Sequence, residues 1–272
     1  MTEVFAARLA AVVAERGPLC VGIDAHAPLL RDWGLADDAA GLREFGLRVV
    51  DAAAPRIGIV KPQIAFFERH GSAGYAALEE ILTAARAAGL LVIADVKRGD
   101  VGSTVDAYGE AWLTPGSPLE ADAMTAVAYQ GFGSLDGVLA RAAENGKGVF
   151  VLAATSNPES AEVQTLRVPD GTTIAQRMVE HARSTRGVAG VVVGATVDLA
   201  AVGVDPSVLA EVPVLAPGFG AQGASLAGAP ATFRAALGAI LPNVSRSVLG
   251  AGPDGLAAAI DVAARDVASW AS

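Results

Sequence analysis

The chain of 272 residues carries 20 basic against 29 acidic residues, a formal charge of −9. That balance argues against a partner held mainly through its phosphates, so nucleic acid is not expected. Mean hydropathy is high at +0.43, yet the apolar residues are dispersed and no unbroken run approaches the ~18 residues of a membrane-spanning helix. The first residues set Glu3, Arg8, Glu15 and Arg16 in a helical pattern, without a basic leader or a small-residue cleavage site, and a cytoplasmic protein is expected. Cys20 is the sole cysteine, which excludes an internal disulfide, and its neighbours Leu19 and Val21 mark it as a packed thiol rather than a nucleophile.

In chain order, a helical stretch at 2–16 leads to an apolar run at 19–24 that ends on Asp24. A helix at 38–53 precedes a second run at 57–62, which carries Lys61 near its end. Tyr75, Leu78, Ile81, Leu82 and Ala85 then recur at helical spacing, with Ser72 as a cap before them and Gly89 as a stop after. The third run, 90–97, holds Asp95 and Lys97, and a fourth lies at 121–129 before a helix at 134–145. The fifth run at 148–155 is followed by Ser156, and a helix at 172–186 leads into the sixth at 188–195. A seventh run at 213–219 precedes a glycine-rich turn bearing Gln222, and an eighth at 242–249 contains Arg246 before a last helix at 254–270.

Eight short runs alternating with Ala-rich helices are the pattern of parallel strand–helix units, and eight such units suggest closure into a (β/α)₈ barrel. With no dividing linker, residues 1–272 are expected to form a single catalytic domain. A doubly wound open sheet is the alternative, because strand order is not written in one sequence, but no early dinucleotide-binding glycine fingerprint supports it. In a barrel the active site lies at the carboxyl ends of the strands. Six of the eight runs end in a polar group suited to binding or chemistry, which points to one shared pocket.

The densest of these ends is Asp95-Val96-Lys97-Arg98-Gly99-Asp100. A strand repeats every two residues, so Asp95 and Lys97 face the same side, whereas Asp100 falls in the turn beyond. At the far end of the chain, Pro217-Gly218-Phe219-Gly220-Ala221-Gln222-Gly223 lets the backbone approach an anion closely, and Arg246 adds a bidentate fork from the next strand. Barrels frequently hold phosphate between the seventh and eighth loops, so a phosphorylated metabolite is expected.

These residues together resemble the orotidine 5′-monophosphate decarboxylase family in its longer bacterial variant. Asp95 through Thr104 (Asp-Val-Lys-Arg-Gly-Asp-Val-Gly-Ser-Thr) is similar to that family's signature. Val21-Gly22-Ile23-Asp24, Val60-Lys61-Pro62-Gln63, Ala154-Thr155-Ser156-Asn157-Pro158, the 217–223 turn and Val244-Ser245-Arg246-Ser247 resemble its other blocks, in order. The resemblance implies a homodimeric barrel that converts orotidine 5′-monophosphate to UMP and carbon dioxide, the last step of de novo pyrimidine synthesis, with no metal or organic cofactor. It further implies that Lys61, Asp95, Lys97 and Asp100 form a charged array at the reacting carbon, with Asp100 and Thr104 supplied by the second subunit. Val101 would line the apolar part of the carboxylate pocket, Asp24 and Lys61 would hold ribose hydroxyls, and Ser156 the pyrimidine. Gln222 with Arg246 would hold the phosphate, and Pro217 would contact the substrate. One stretch departs from the pattern: Thr125-Ala126-Val127-Ala128-Tyr129 lacks the Asn-Pro or Ser-Pro expected before the tyrosine, and no catalytic role is assigned there.

Three other functions fit the bare residues. Lys97 could form a Schiff base in a sugar-phosphate aldolase, a related barrel could act on a keto-sugar phosphate with a divalent metal, or the barrel could bind a nucleotide without catalysis. His26, His70 and His181 lack ligand spacing and are read as loop or solvated helix-end residues rather than metal ligands.

Overall fold

The computed structural model describes residues 4–185 and 187–271. Its strands are β1 (Cys20–Ile23), β2 (Ile59–Pro62), β3 (Leu91–Arg98), β4 (Ala123–Ala126), β5 (Gly148–Ala154), β6 (Ala189–Val193), β7 (Val214–Phe219) and β8 (Ile240–Val244). They pair in parallel and in sequence order, and β1 closes on β8 through the pairs Cys20↔Asn243 and Val21↔Val244. The closed barrel excludes the open doubly wound sheet.

Strand periodicity sorts the side chains into two cores. Outward-facing Val21, Val60, Val92, Met124, Val149 and Val191 pack against the helices. The inward set begins with a layer of Cys20, Ile59, Leu91, Ile93, Ala123, Phe150, Val192, Leu215 and Leu241, and the helix Phe5–Arg16 plugs it from below with Phe5 and Leu9. Phe5 meets Phe150 edge-on at 6.0 Å, and Gly148 makes this possible, because a Cβ there would lie 2.3 Å from the Phe5 ring. Arg8 of the plug helix pairs with buried Asp122 at 2.5 Å and donates to the Gly146 carbonyl, which ties the plug to the strand ends. The bottom of the barrel is thus a packed, closed floor, and two-residue steps upward along each strand lead to its mouth.

Several boundaries differ from the sequence expectation. The fourth strand is shorter than 121–129, since pairing with β5 ends at Ala126. The eighth begins earlier and ends at Val244, and residues 246–249 form a one-turn helix whose Val248 and Leu249 are buried. Those apolar residues continue the hydrophobic run of β8 without continuing its strand, so Arg246 stands just past the strand and not within it. Ser72 does not cap a helix but lies inside Gly71–Ala87, which His70 precedes. Asp38 does cap Ala39–Ala53, accepting from the Gly41 N–H at 2.8 Å. The expected helices starting at 2 and ending at 186 reach positions outside the described residues; the observed spans are Phe5–Arg16 and Ile174–Ser184. His26 precedes the helix Ala27–Asp32, and His181 stacks on Phe132 at 4.9 Å. Among the described residues, no helix is long and apolar enough to cross a membrane.

Candidate active site

Two-residue steps from the apolar floor account for the polar mouth. Ile59 leads to Lys61 and Gln63, Leu91 and Ile93 lead to Asp95, Ala123 leads to Thr125, and Leu241 leads to Asn243 and Ser245. The mouth opens into a cavity of about 320 Å³, within the size range of small-molecule sites. Asp24, Lys61, Asp95, Lys97, Ser156, Pro217, Gln222 and Arg246 all line it, so eight of the residues singled out in the sequence meet in one place. Leu152, Val192 and Leu215 supply its apolar wall.

Asp95 is the hub. Its Oδ2 accepts from Lys61 Nζ at 2.8 Å and from Gln63 Nε2 at 2.9 Å, while its Oδ1 accepts from Lys97 Nζ at 2.6 Å and from Thr125 Oγ1 at 2.9 Å. Burial alone would favour a neutral carboxyl, but the Lys61 and Lys97 ammonium groups outweigh it and hold Asp95 well below the usual carboxylate range. Burial likewise opposes the charge on Lys61, and the carboxylates of Asp95 and Asp24 outweigh it and raise its pKa. Both groups therefore stay ionised although both are buried. The side chain of Lys61 is 4% exposed and that of Lys97 is 44% exposed, so of the two lysines lining the cavity Lys97 is the more open to it.

Lys97 reaches this position through unusual backbone. Its φ of 48° lies in the left-handed region, costing a non-glycine residue about 1–2 kcal/mol. The register of β3 against β4 shifts between Ala94 and Arg98, and the Thr125 hydroxyl accepts the Lys97 N–H at 2.9 Å while donating to Asp95. One threonine thus fixes both the strained backbone of the lysine and the carboxylate that pairs with it. Thr125 and Gln63 were given no role on sequence grounds. The signal was present, because each is a polar residue at an inward step of an otherwise apolar strand. On sequence grounds no catalytic role is assigned to the end of the fourth strand, yet Thr125 there contacts both the Lys97 backbone and Asp95.

Across the cavity, Gly218 has φ 117°, and a Cβ on it would lie 2.9 Å from Gln222 Oε1, so the glycine leaves room for the glutamine to cross the turn. Gln222 lies in the turn beyond β7 and Arg246 opens the one-turn helix beyond β8, and both face the same space. Asp24 accepts from Ser245 Oγ at 2.5 Å, and its Oδ1 is buried without a hydrogen-bond partner. Cys20, beneath the array, is fully buried, and burial pushes its thiol up to about 12, in keeping with a packing role.

Three expected site residues do not join the cavity of their own chain. Asp100 turns its Oδ1 onto the Val101 N–H at 2.8 Å, Val101 is 54% exposed, and Thr104 is exposed on the helix Gly102–Leu113. None of them lines the pocket.

Residues 17–261 match the model of the Orotidine 5′-phosphate decarboxylase / HUMPS family. An orotidine 5′-phosphate decarboxylase of Nocardioides sp. is 53% identical over 254 residues, covering 90% of this chain and 91% of the relative. One of Streptomyces coelicolor is 51% identical, covering 93% of this chain and 92% of its own. Among solved structures, a provisionally named orotidine 5′-phosphate decarboxylase of Streptomyces avermitilis superposes with a TM-score of 0.93 at 48% identity, over 98% of this chain and 95% of that one. The OMP decarboxylase of Leishmania donovani does so with a TM-score of 0.79 at 33% identity, over 97% of this chain and 98% of that one. The barrel, the charged array at its mouth and this similarity along nearly the whole sequence agree: the chain belongs to the orotidine 5′-phosphate decarboxylase family.

Proposed function

We propose that this protein removes carbon dioxide from orotidine 5′-monophosphate to give UMP, closing de novo pyrimidine synthesis, and that Lys97 protonates the ring carbon. The observation that carries the assignment of roles is the Lys97 ammonium, 2.6 Å from buried Asp95 and open to a cavity with Gln222 and Arg246 on its wall.

Breaking the bond between the ring carbon and its carboxylate leaves the electron pair in an in-plane orbital that the pyrimidine π system accepts poorly. A cation beside that carbon stabilises the pair. At ~4 Å and an effective dielectric of 20, one unit-charge contact is worth about 4 kcal/mol, roughly three powers of ten in rate if made only in the transition state. The Lys97 N–H bond then breaks as the new C–H bond forms, and the neutral amine recovers a proton from water. Asp95 holds Lys97 at this carbon, and Lys61 keeps Asp95 charged. Burial of both Asp95 and Lys61 makes the array costly unless each charge stays paired.

In this reading Asp24 and Lys61 hold the ribose hydroxyls and Ser156 the pyrimidine. Pro217 starts the turn from which Gln222, with Arg246, takes the phosphate. Binding energy from the phosphate then supports assembly of the site around the distant reacting carbon. Asp100 and Thr104 act in the site of a second subunit of a homodimer, with Val101 beside the departing carboxylate. The exposure of this segment and its absence from the cavity of its own chain support that arrangement. Residues 1–272 act as one catalytic barrel in the cytoplasm, using no metal or organic cofactor.

The test is loss of the orotate absorbance on incubation with orotidine 5′-monophosphate in the presence of a chelator. Formation of UMP with undiminished rate is expected. No turnover with or without added Mg²⁺ would overturn the proposal, and activity abolished by the chelator would overturn its cofactor-free form.

A further inference from the structure

Ser245 stands on no strand and in no ion pair, yet it makes the shortest polar contact of the ribose end of the cavity. Its Oγ lies 2.5 Å from Asp24 Oδ2, joining the carboxyl ends of β1 and β8, which are neighbours in the closed barrel. The space for this contact is built into β1. A Cβ on Gly22 would sit 2.9 Å from Ser245 Cβ and 3.1 Å from Asp24 Oδ1, so any larger residue at position 22 would push the serine and the aspartate apart. With one carboxylate oxygen satisfied by the serine, the other, Oδ1, remains buried and without a hydrogen-bond partner. An ionised carboxylate has acceptor sites only, so the group that completes this pair must bring a donor, and a sugar hydroxyl is such a donor.

We infer that Ser245 is a positioning residue for sugar recognition: its hydroxyl occupies one oxygen of Asp24 and orients the carboxylate so that the other accepts from a ribose hydroxyl. The inference rests on the assignment of Asp24 to the ribose. It assigns no catalytic contact to Ser245, which touches neither Lys97 nor Asp95.

The readout is the difference between two ligands measured by calorimetric titration of the full chain: UMP, and 2′,3′-dideoxyuridine 5′-monophosphate, which keeps the base and phosphate but has neither hydroxyl. The substitutions are Ser245→Ala and Ser245→Gly, both removing the hydroxyl, so that one misfolded variant does not decide the matter. Loss of an oriented charge-assisted hydrogen bond should weaken UMP binding roughly five- to tenfold. Binding of the dideoxy ligand should change by less than about twofold, because its affinity never included that contact. KM for the substrate should rise while kcat changes little. Equal weakening of both ligands would mean a general distortion of the pocket and would overturn the inference, as would unchanged affinity for UMP. If the unsubstituted protein itself bound the two ligands equally well, the ribose assignment of Asp24 would fall and this inference with it, a result distinct from failure of Ser245 alone.

Discussion

Replacing Asp95 by Asn removes the one anion that lies between two ammonium groups while preserving size. The amide would place an N–H₂ group where one oxygen now accepts from Lys61 at 2.8 Å or from Lys97 at 2.6 Å. Lys97 is half exposed and can turn its charge to water, so its share of the loss is small. Lys61 has no such escape at 4% exposure, and stranding a buried charge by deleting its partner costs about 3–5 kcal/mol. The expected destabilisation is therefore near the lower bound, about 3 kcal/mol, or a fall in Tm of roughly 6–12 °C for a chain of this size. The deficit has a pH window set by the two shifted groups. Asp95 titrates below its unfolded value, so its contribution is present above about pH 4 and is lost as the pH falls through the folded pKa. Lys61 titrates above its unfolded value, so its contribution is complete below about pH 10 and is lost as the pH rises through the folded pKa. Urea unfolding of the parent and the Asn variant should show a constant gap between those limits that narrows toward acid. An Asn variant as stable as the parent at pH 7 would refute the claim that Asp95 holds the buried lysine in its charged form.

The Thr125 hydroxyl makes two contacts, one to the strained Lys97 backbone and one to Asp95. Thr125→Val should lower kcat by roughly tenfold or more with little change in UMP affinity, and a loss confined to KM would contradict its place beside the reacting centre. Arg246→Ala removes the proposed phosphate fork and should reduce kcat/KM by about a hundredfold, with weaker binding of UMP than of uridine relative to the parent; a variant that still prefers UMP over uridine as strongly would move the phosphate elsewhere. Asp100→Ala and Lys97→Ala chains, each inactive alone, should regain part of the activity when mixed, because in the proposed homodimer one of the two sites escapes both lesions. A verified heterodimer without recovery would contradict the shared site.

The barrel was legible in the sequence because parallel strands buried on both faces read as repeated apolar runs, and because polar residues gathered at their ends instead of along the helices. Asp95 and Lys97 meet as their two-residue spacing predicts, although the backbone at Lys97 leaves the regular strand, and Lys61 joins them from the neighbouring strand. What the runs hid was where a strand stops. Val248 and Leu249 prolong the apolar pattern of β8 yet pack as a helical turn, and hydrophobicity alone does not distinguish these outcomes. The roles of Gln63, Thr125 and Ser245 depend on cross-strand neighbours, Asp95 for two of them and Asp24 for the third, and such pairings come from register and closure rather than from any local motif. The positive φ of Lys97 was equally hidden, since only the bulge against β4 and the Thr125 contact impose it.

The most direct measurement is turnover of orotidine 5′-monophosphate by Lys97→Ala, followed by absorbance beside calorimetric binding of UMP to the same variant. With the proposed proton donor and its charge both removed, decarboxylation should fall below detection, while UMP should still bind through the contacts proposed for Gln222, Arg246 and Asp24. Turnover close to that of the parent enzyme would show that another group delivers the proton, and the proposed role of Lys97 would have to be abandoned.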